Sequence, residues 1–170
     1  VFVTANLKVE VLAPVGETDR ARRLSVAIDD GGEGLKSLVF ATHDLAGAHR
    51  RLERVGLDPE PISRASFRLS TERTHGVRAF LTKAENRDTP APLAGALTGL
   101  DHVVIRTPSG ERAAALYGAR LGLDMRLDRE VMGRRLLFFR CGDAVVEIVE
   151  DTTVPDGRDR LWGLSWRTHD

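Results

Sequence analysis

Glu147 lies in Val145-Val146-Glu147-Ile148-Val149, a run that is apolar on both sides of one carboxylate. Such a strand is expected where one face meets helices and the other lines an interior. A carboxylate there is costly unless it is paired, hydrogen-bonded or bound to a cation. The plainer reading is an edge-strand glutamate that faces water. His102 opens a second apolar run, His102-Val103-Val104-Ile105, and alternation places it with Val104 and Arg106. Of the five histidines, His43 and His169 fall at cap positions, His49 on a helix and His75 in a turn, so these four read as structural or solvent-facing. Imidazole and carboxylate from adjacent strands suit a borderline divalent cation. Glu10, flanked by Leu7, Val9, Val11 and Leu12, repeats the surroundings of Glu147. The expected metal ligands are therefore His102, Glu147 and Glu10.

Arg106 and Arg140 are candidates for holding an anionic substrate in the same interior, since a guanidinium matches carboxylate geometry. Exposed strand ends or salt-bridge partners are the alternative. Tyr117, Phe138 and Phe139 read as core. The sequence contains no Gly-rich phosphate loop, nucleophile elbow or zinc-protease helix.

The elements that must position these residues recur. Leu35 to Asp44, Leu100 to Ser109 and Leu161 to Asp170 superimpose without a gap, each a strand running into a helix cap. Leu45, Ala48, Leu52 and Val55 then follow at helical spacing before Gly56, and Ala113, Leu116, Tyr117 and Leu121 do so before Gly122. Strands are expected over Ala65 to Ser70 and Val77 to Lys83, and over Met125 to Arg129, Arg135 to Cys141 and Ala144 to Glu150. Asn6 to Leu12 lies over Asp143 to Val149, with the glutamate in the same place.

The organisation predicted is a module tail with a connecting helix over 1–34, a βαβββ-like module over 35–85, a Pro- and Gly-containing linker over 86–99, a βαβββ module over 100–154, and a linker with the first strand of a further module over 155–170. The fold class is α+β, and both ends read as cut from a longer chain.

Composition excludes several alternatives. With 25 Lys+Arg against 25 Asp+Glu in 170 residues, no net charge draws the molecule to nucleic acid or an anionic membrane. Cys141 is the single cysteine, so an intrachain disulfide and a Cys-based zinc site are both excluded, as suits a reducing cytoplasm. No apolar run approaches the ~20 residues needed to span a bilayer.

Gly99-Leu100-Asp101-His102-Val103-Val104-Ile105, the Tyr117-Gly118-Ala119-Arg120-Leu121-Gly122-Leu123 helix end and Val145-Val146-Glu147-Ile148-Val149 together resemble the vicinal oxygen chelate superfamily, which includes glyoxalase I, bleomycin-resistance proteins and extradiol dioxygenases. The resemblance implies βαβββ modules paired into a curved, cup-like mixed sheet around an interior site. It implies metal ligands on the first and last strands of paired modules, which transfers to His102 and Glu147. Where the family's metal enzymes take a further ligand from the partner module's first strand, this chain has Ser37 and Gly163, so a 2-His-1-carboxylate iron site is incomplete within it.

Two functions follow from these residues. One is a divalent-metal enzyme, using Fe, Mn, Zn, Ni or Mg, that chelates vicinal oxygens of a small substrate for lyase, isomerase or dioxygenase chemistry. The other is a metal-free module that sequesters a small molecule. Lone strands at both ends predict self-association or association with segments outside this sequence.

Overall fold

Two stretches of like pattern form sheets of like connectivity. The computed structural model describes residues 1–85 and 96–168. In the first stretch β3 (Leu38–Thr42), α2 (Leu45–Arg54), β4 (Glu60–Ser63), β5 (Ser66–Arg68) and β6 (Ala79–Lys83) give a sheet ordered β3-β6-β5-β4. In the second, β7 (Leu97–Thr107) runs into α3 (Gly110–Ala113), which continues as a π-helix over Ala114–Arg120. There follow β8 (Asp124–Val131), β9 (Arg134–Cys141) and β10 (Ala144–Glu150). The order there is β7-β10-β9-β8, with β11 (Arg160–Thr168) added antiparallel to β7. In both sheets the first and last strands pair in parallel and the others antiparallel. The fold is α+β with mixed sheets, and register shifts between Met125 and Leu127 and along β11 bend the second one.

Local chemistry accounts for the elements. The Asp44 carboxylate accepts from Gly47 N at 2.8 Å to cap α2, and Ser109 Oγ accepts from Arg112 N to cap α3. β8 and β9 join through Met132-Gly133, both at positive φ, as a tight two-residue hairpin requires. β4 is exposed along its whole length, so no apolar alternation marks Glu60–Ser63 as a strand. The opening segment is a pair of two-residue strands, β1 (Phe2–Val3) and β2 (Lys8–Val9), instead of one strand over Asn6 to Leu12. Asn6 turns toward β7 and bonds both backbone groups of Leu100, at 2.8 and 2.9 Å. Only a glycine at position 99 leaves room for it, since a Cβ there would lie 2.8 Å from Asn6 Oδ1. The connecting helix is α1 (Asp19–Gly31), capped by Thr18. Leu97 to Gly99, expected in the linker, already belong to β7, and residues 86–95 of that linker lie outside the described residues.

A single core joins the two sheets. Leu52, Leu57, Phe67, Leu81, Ile105, Leu116, Tyr117, Leu137, Phe139 and Ile148 are all buried within it. At its margin two arginines cross: Arg51 donates to the carbonyls of Arg120 and Leu121 at 2.8 and 2.9 Å, and Arg120 donates to those of Val55 and Gly56. Each guanidinium thus satisfies the orphan carbonyls at the other helix's C-terminal end. A second fastening holds β11. Asp159, its side chain fully buried, accepts from Thr107 Oγ1 at 2.7 Å and Arg112 Nη2 at 2.6 Å.

Two substitutions test these fastenings by urea denaturation. Asp159→Ala strands Arg112 without its partner and is expected to cost about 3–5 kcal/mol. Arg51→Ala is expected to cost about 1.5–3 kcal/mol, the range for hydrogen bonds to a charged group.

Candidate functional site

The second sheet has two unlike faces. Val103, Ile105, Leu137, Phe139, Val146 and Ile148 point to the helix and are buried. Strand alternation puts His102, Val104, Arg106, Leu136, Phe138, Arg140, Val145, Glu147 and Val149 on the opposite face. Register aligns these in rows across the strands. One runs Asp124, Arg140, Val145, His102, Ser165, and the next runs Leu127, Phe138, Glu147, Val104, Gly163. His102 and Glu147 are therefore diagonal neighbours on a parallel pair, and their side chains meet: His102 Nε2 lies 3.1 Å from Glu147 Oε2. The two side chains are only 26% and 15% exposed, so the meeting is sheltered from water.

The other ring nitrogen is also taken. His102 Nδ1 lies 3.0 Å from Asp101 Oδ2, and Asp101 Oδ1 accepts from Arg167 Nε at 3.1 Å. The bond from His102 and then that from Arg167 hold the Asp101 carboxyl below its ordinary range, so it is ionised and accepts only. The ring makes this bond in a form that carries a proton on Nδ1. A neutral ring then turns the Nε2 lone pair toward the Glu147 carboxylate. Two acceptors at 3.1 Å repel unless something positive lies between them: a second ring proton, a proton on Glu147, or a cation. A histidine steadied at one nitrogen by a carboxylate and open at the other is also the usual posture of a metal-bound imidazole.

The remaining candidates are placed elsewhere or held otherwise. Glu10 lies just outside β2, half-exposed, with its carboxylate 2.6 Å from Lys8 Nζ. The Lys8 contact holds its pKa low. Among the described residues no group of three His, Cys, Asp or Glu side chains could hold one ion, so Glu10 is not brought to His102 and Glu147. Arg106 shares their face but is bound to the buried Asp151 carboxylate and stacks on Trp162 at 5.8 Å. Arg140 donates to the carbonyl of Gly142 at 3.0 Å and, among the described residues, has no carboxylate partner. Gly163 and Ser165, opposite Val104 and His102, bring no strong ligand to the row.

Sequence reasoning did not single out Asp101, Arg167 or Trp162. Asp101 precedes His102 and reads by alternation as facing away. It reaches the ring near the start of β10, whose paired register with β7 begins only at Val145. Trp162 falls at a register shift between Leu161 and Gly163, which alternation cannot anticipate. It is 65% exposed.

Comparison with protein-family models and with curated proteins finds no match. Among solved structures the chain is similar to the fosfomycin resistance protein FosX from Mesorhizobium loti, with 22% identity over 71% of this chain and 94% of that one and a TM-score of 0.42. It is also similar to a glyoxylase/bleomycin resistance protein/dioxygenase domain from Frankia sp. EAN1pec, at 19% identity over 69% and 97% with a TM-score of 0.42. Methylmalonyl-CoA epimerase from Mycobacterium tuberculosis matches at 20% identity over 47% and 61%, with a TM-score of 0.41. The α+β assignment rests on the strand order and connectivity given above. No helix among the described residues is long and apolar enough to cross a membrane.

Cys141, at the end of β9, is half-buried, and burial raises its thiol pKa, with Asp143 adding to the rise. A nucleophile needs the opposite shift. Alkylation by iodoacetamide at pH 8 is expected to be slower in the folded protein than in urea. The folded-state rate should climb only above the ordinary thiol range, as followed by mass spectrometry.

Proposed function

We propose that the open face of the second sheet binds a small, oxygen-rich anionic molecule together with a divalent cation, and that the bound pair is set up for Lewis-acid chemistry. The observation that carries this is the 3.1 Å approach of His102 Nε2 to Glu147 Oε2 while Asp101 occupies Nδ1. His102 and Glu147 would hold the ion through one nitrogen and one carboxylate. Asp101 fixes the ring's tautomer and orientation, and Arg167 fixes Asp101. When bound, the ion would stabilise negative charge developing on a substrate oxygen.

Two protein donors do not complete a catalytic zinc site or an iron triad, each of which takes three. They are enough for a hard ion such as Mg2+ or Mn2+, which keeps water and takes substrate oxygens beside one or two protein carboxylates. Binding of ion and ligand would then be mutually supportive.

A metal-free small-molecule binder is the second reading, favoured by Ser37 and Gly163 where the family resemblance puts a further ligand. Titration calorimetry with Mn2+, Zn2+ and Fe2+ on the wild-type protein and on Glu147→Gln separates the two. The substitution keeps the shape and removes the charge, so specific ion binding is expected to disappear with the fold intact. Asp101→Asn should weaken binding by about 10–100-fold, the usual cost of losing a carboxylate behind a ligating histidine. Identical isotherms for wild type and Glu147→Gln would remove Glu147 from the site, and the absence of specific ion binding by either would leave the metal-free reading.

We also propose that the chain associates with itself. The edges of β8 and β11, unpaired among the described residues, together with exposed Met125, Leu127 and Trp162, leave apolar surface and strand backbone that a second copy would cover. Sedimentation velocity is expected to show a concentration-dependent shift above the monomer, and a single monomer peak at high concentration would refute it.

A further inference from the structure

Arg126, Arg140 and Arg167, with Asp143, Ala144 and Val145, line a solvent-open hollow of about 420 Å3 at the end of the sheet where β9 and β10 turn. Val145 is the register partner of both Arg140 and His102, so the cavity adjoins the His102 row on the same face. From these residues we infer a subsite for the oxyanion end of a small-molecule ligand, a carboxylate or a phosphate.

The three guanidiniums are not equivalent. Arg140 is the open one: its Nε donates to Gly142 O at 3.0 Å, and no carboxylate among the described residues pairs with it, so its two terminal nitrogens keep a donor fork free. Arg126 is bonded to Asp124 at 2.8 Å, with both side chains about 60% exposed. A pair so exposed contributes little and opens at small cost. Arg167 is held from two sides, by Asp101 Oδ1 and by the carbonyl of Asp143, and so brings a fixed positive charge to the wall. The Asp143 carboxylate is the one acidic group in the lining, against three arginines. The remaining lining, Ala144 and Val145, is apolar and contributes no competing donor.

Arg167 also ties the subsite to the pair on the sheet. Its partner Asp101 is the residue that bonds His102 Nδ1, so one chain of polar contacts runs from the cavity wall through Asp101 and His102 to Glu147. A ligand with its oxyanion on Arg140 would extend its other oxygens along this row toward His102 and Glu147. The inference rests on the proposed function only for that extension, and oxyanion binding by the cavity stands without a metal.

The test follows backbone amide NMR signals of the whole chain while inorganic phosphate or acetate is added, each with and without Mn2+. Saturable shifts centred on Arg140 and Val145 are expected. Saturation by phosphate alone identifies a phosphate subsite, and saturation by acetate alone a carboxylate one. Arg140→Gln should weaken the binding at least about tenfold, the scale of losing one charge-assisted hydrogen bond. Arg140→Lys, which keeps the charge without the fork, should recover only part of it. Arg22→Gln, on the exposed face of α1, should change nothing. Non-saturable or scattered shifts, or unchanged affinity in Arg140→Gln, would overturn the subsite. Phosphate or acetate binding without any Mn2+ binding would overturn the metal reading and leave the subsite standing, and the reverse result would do the opposite.

Discussion

The parallel pairing of β7 with β10 is the constraint on which the site depends. It sets Val145 beside His102 and Glu147 beside Val104, and so puts an imidazole and a carboxylate on one face, one diagonal step apart. A slip of one residue would turn Glu147 into the helix-packed core among Val146 and Ile148, where an unpaired carboxylate is untenable. The apolar residues on the other face prevent that slip, because Ile105, Leu137, Phe139 and Ile148 are completely buried only in this register. The polar pair is thus positioned by hydrophobic burial on the side of the sheet away from it.

Parallel neighbours cannot be joined by a tight turn, and the crossover needed here carries the helix and two strands between them. That crossover is fastened where its ends return to the sheet. Glu150, the last residue of β10, accepts from Gly110 N at 2.9 Å at the start of α3. Past it, the buried Asp151 takes Arg106, and the buried Asp159 takes Thr107 and Arg112. These two aspartates bracket the loop that brings β11 back beside β7. Arg106 illustrates the competition between fold and ligand: its face is the right one, but a carboxylate already buried at Asp151 claims it, whereas Arg140 bonds the Gly142 carbonyl and, among the described residues, no carboxylate.

The sequence made legible whatever depends on periodicity. The α2 and α3 faces, the strand over Ala144–Glu150, and the sharing of a face by His102 and Glu147 all follow from apolar spacing and alternation. Three things were not legible. β4 has no buried side to give it a pattern. The stretch around Glu10 imitates the stretch around Glu147 in residue types, but its only pairing among the described residues is the two-residue ladder of β2 with β1, and Asn6 is spent on β7 and Glu10 on Lys8. Asp101 and Trp162 act where alternation breaks down, one beside the beginning of the β7–β10 register and the other at a register shift in β11. Periodicity reports what the interior of a sheet demands and says nothing of what its ends can do.

Those sheet ends are where the polar groups of this face gather. Asp101, Asp143, Arg140 and Arg167 all lie where β10 begins and β9 ends, and the backbone they touch includes the carbonyls of Gly142 and Asp143. A two-residue connection with Gly142 at positive φ keeps those carbonyls close to two guanidiniums. The arginines are thereby oriented without using up their whole donor sets. Farther along the strands the same face carries Val104, Phe138, Leu136 and Val149, with Arg106, Arg129 and Arg160 in the row of Leu136 and Val149. The face therefore has arginines on both sides of the histidine–glutamate pair, and beyond it Arg106 and Arg160 are committed to Asp151 and Asp156.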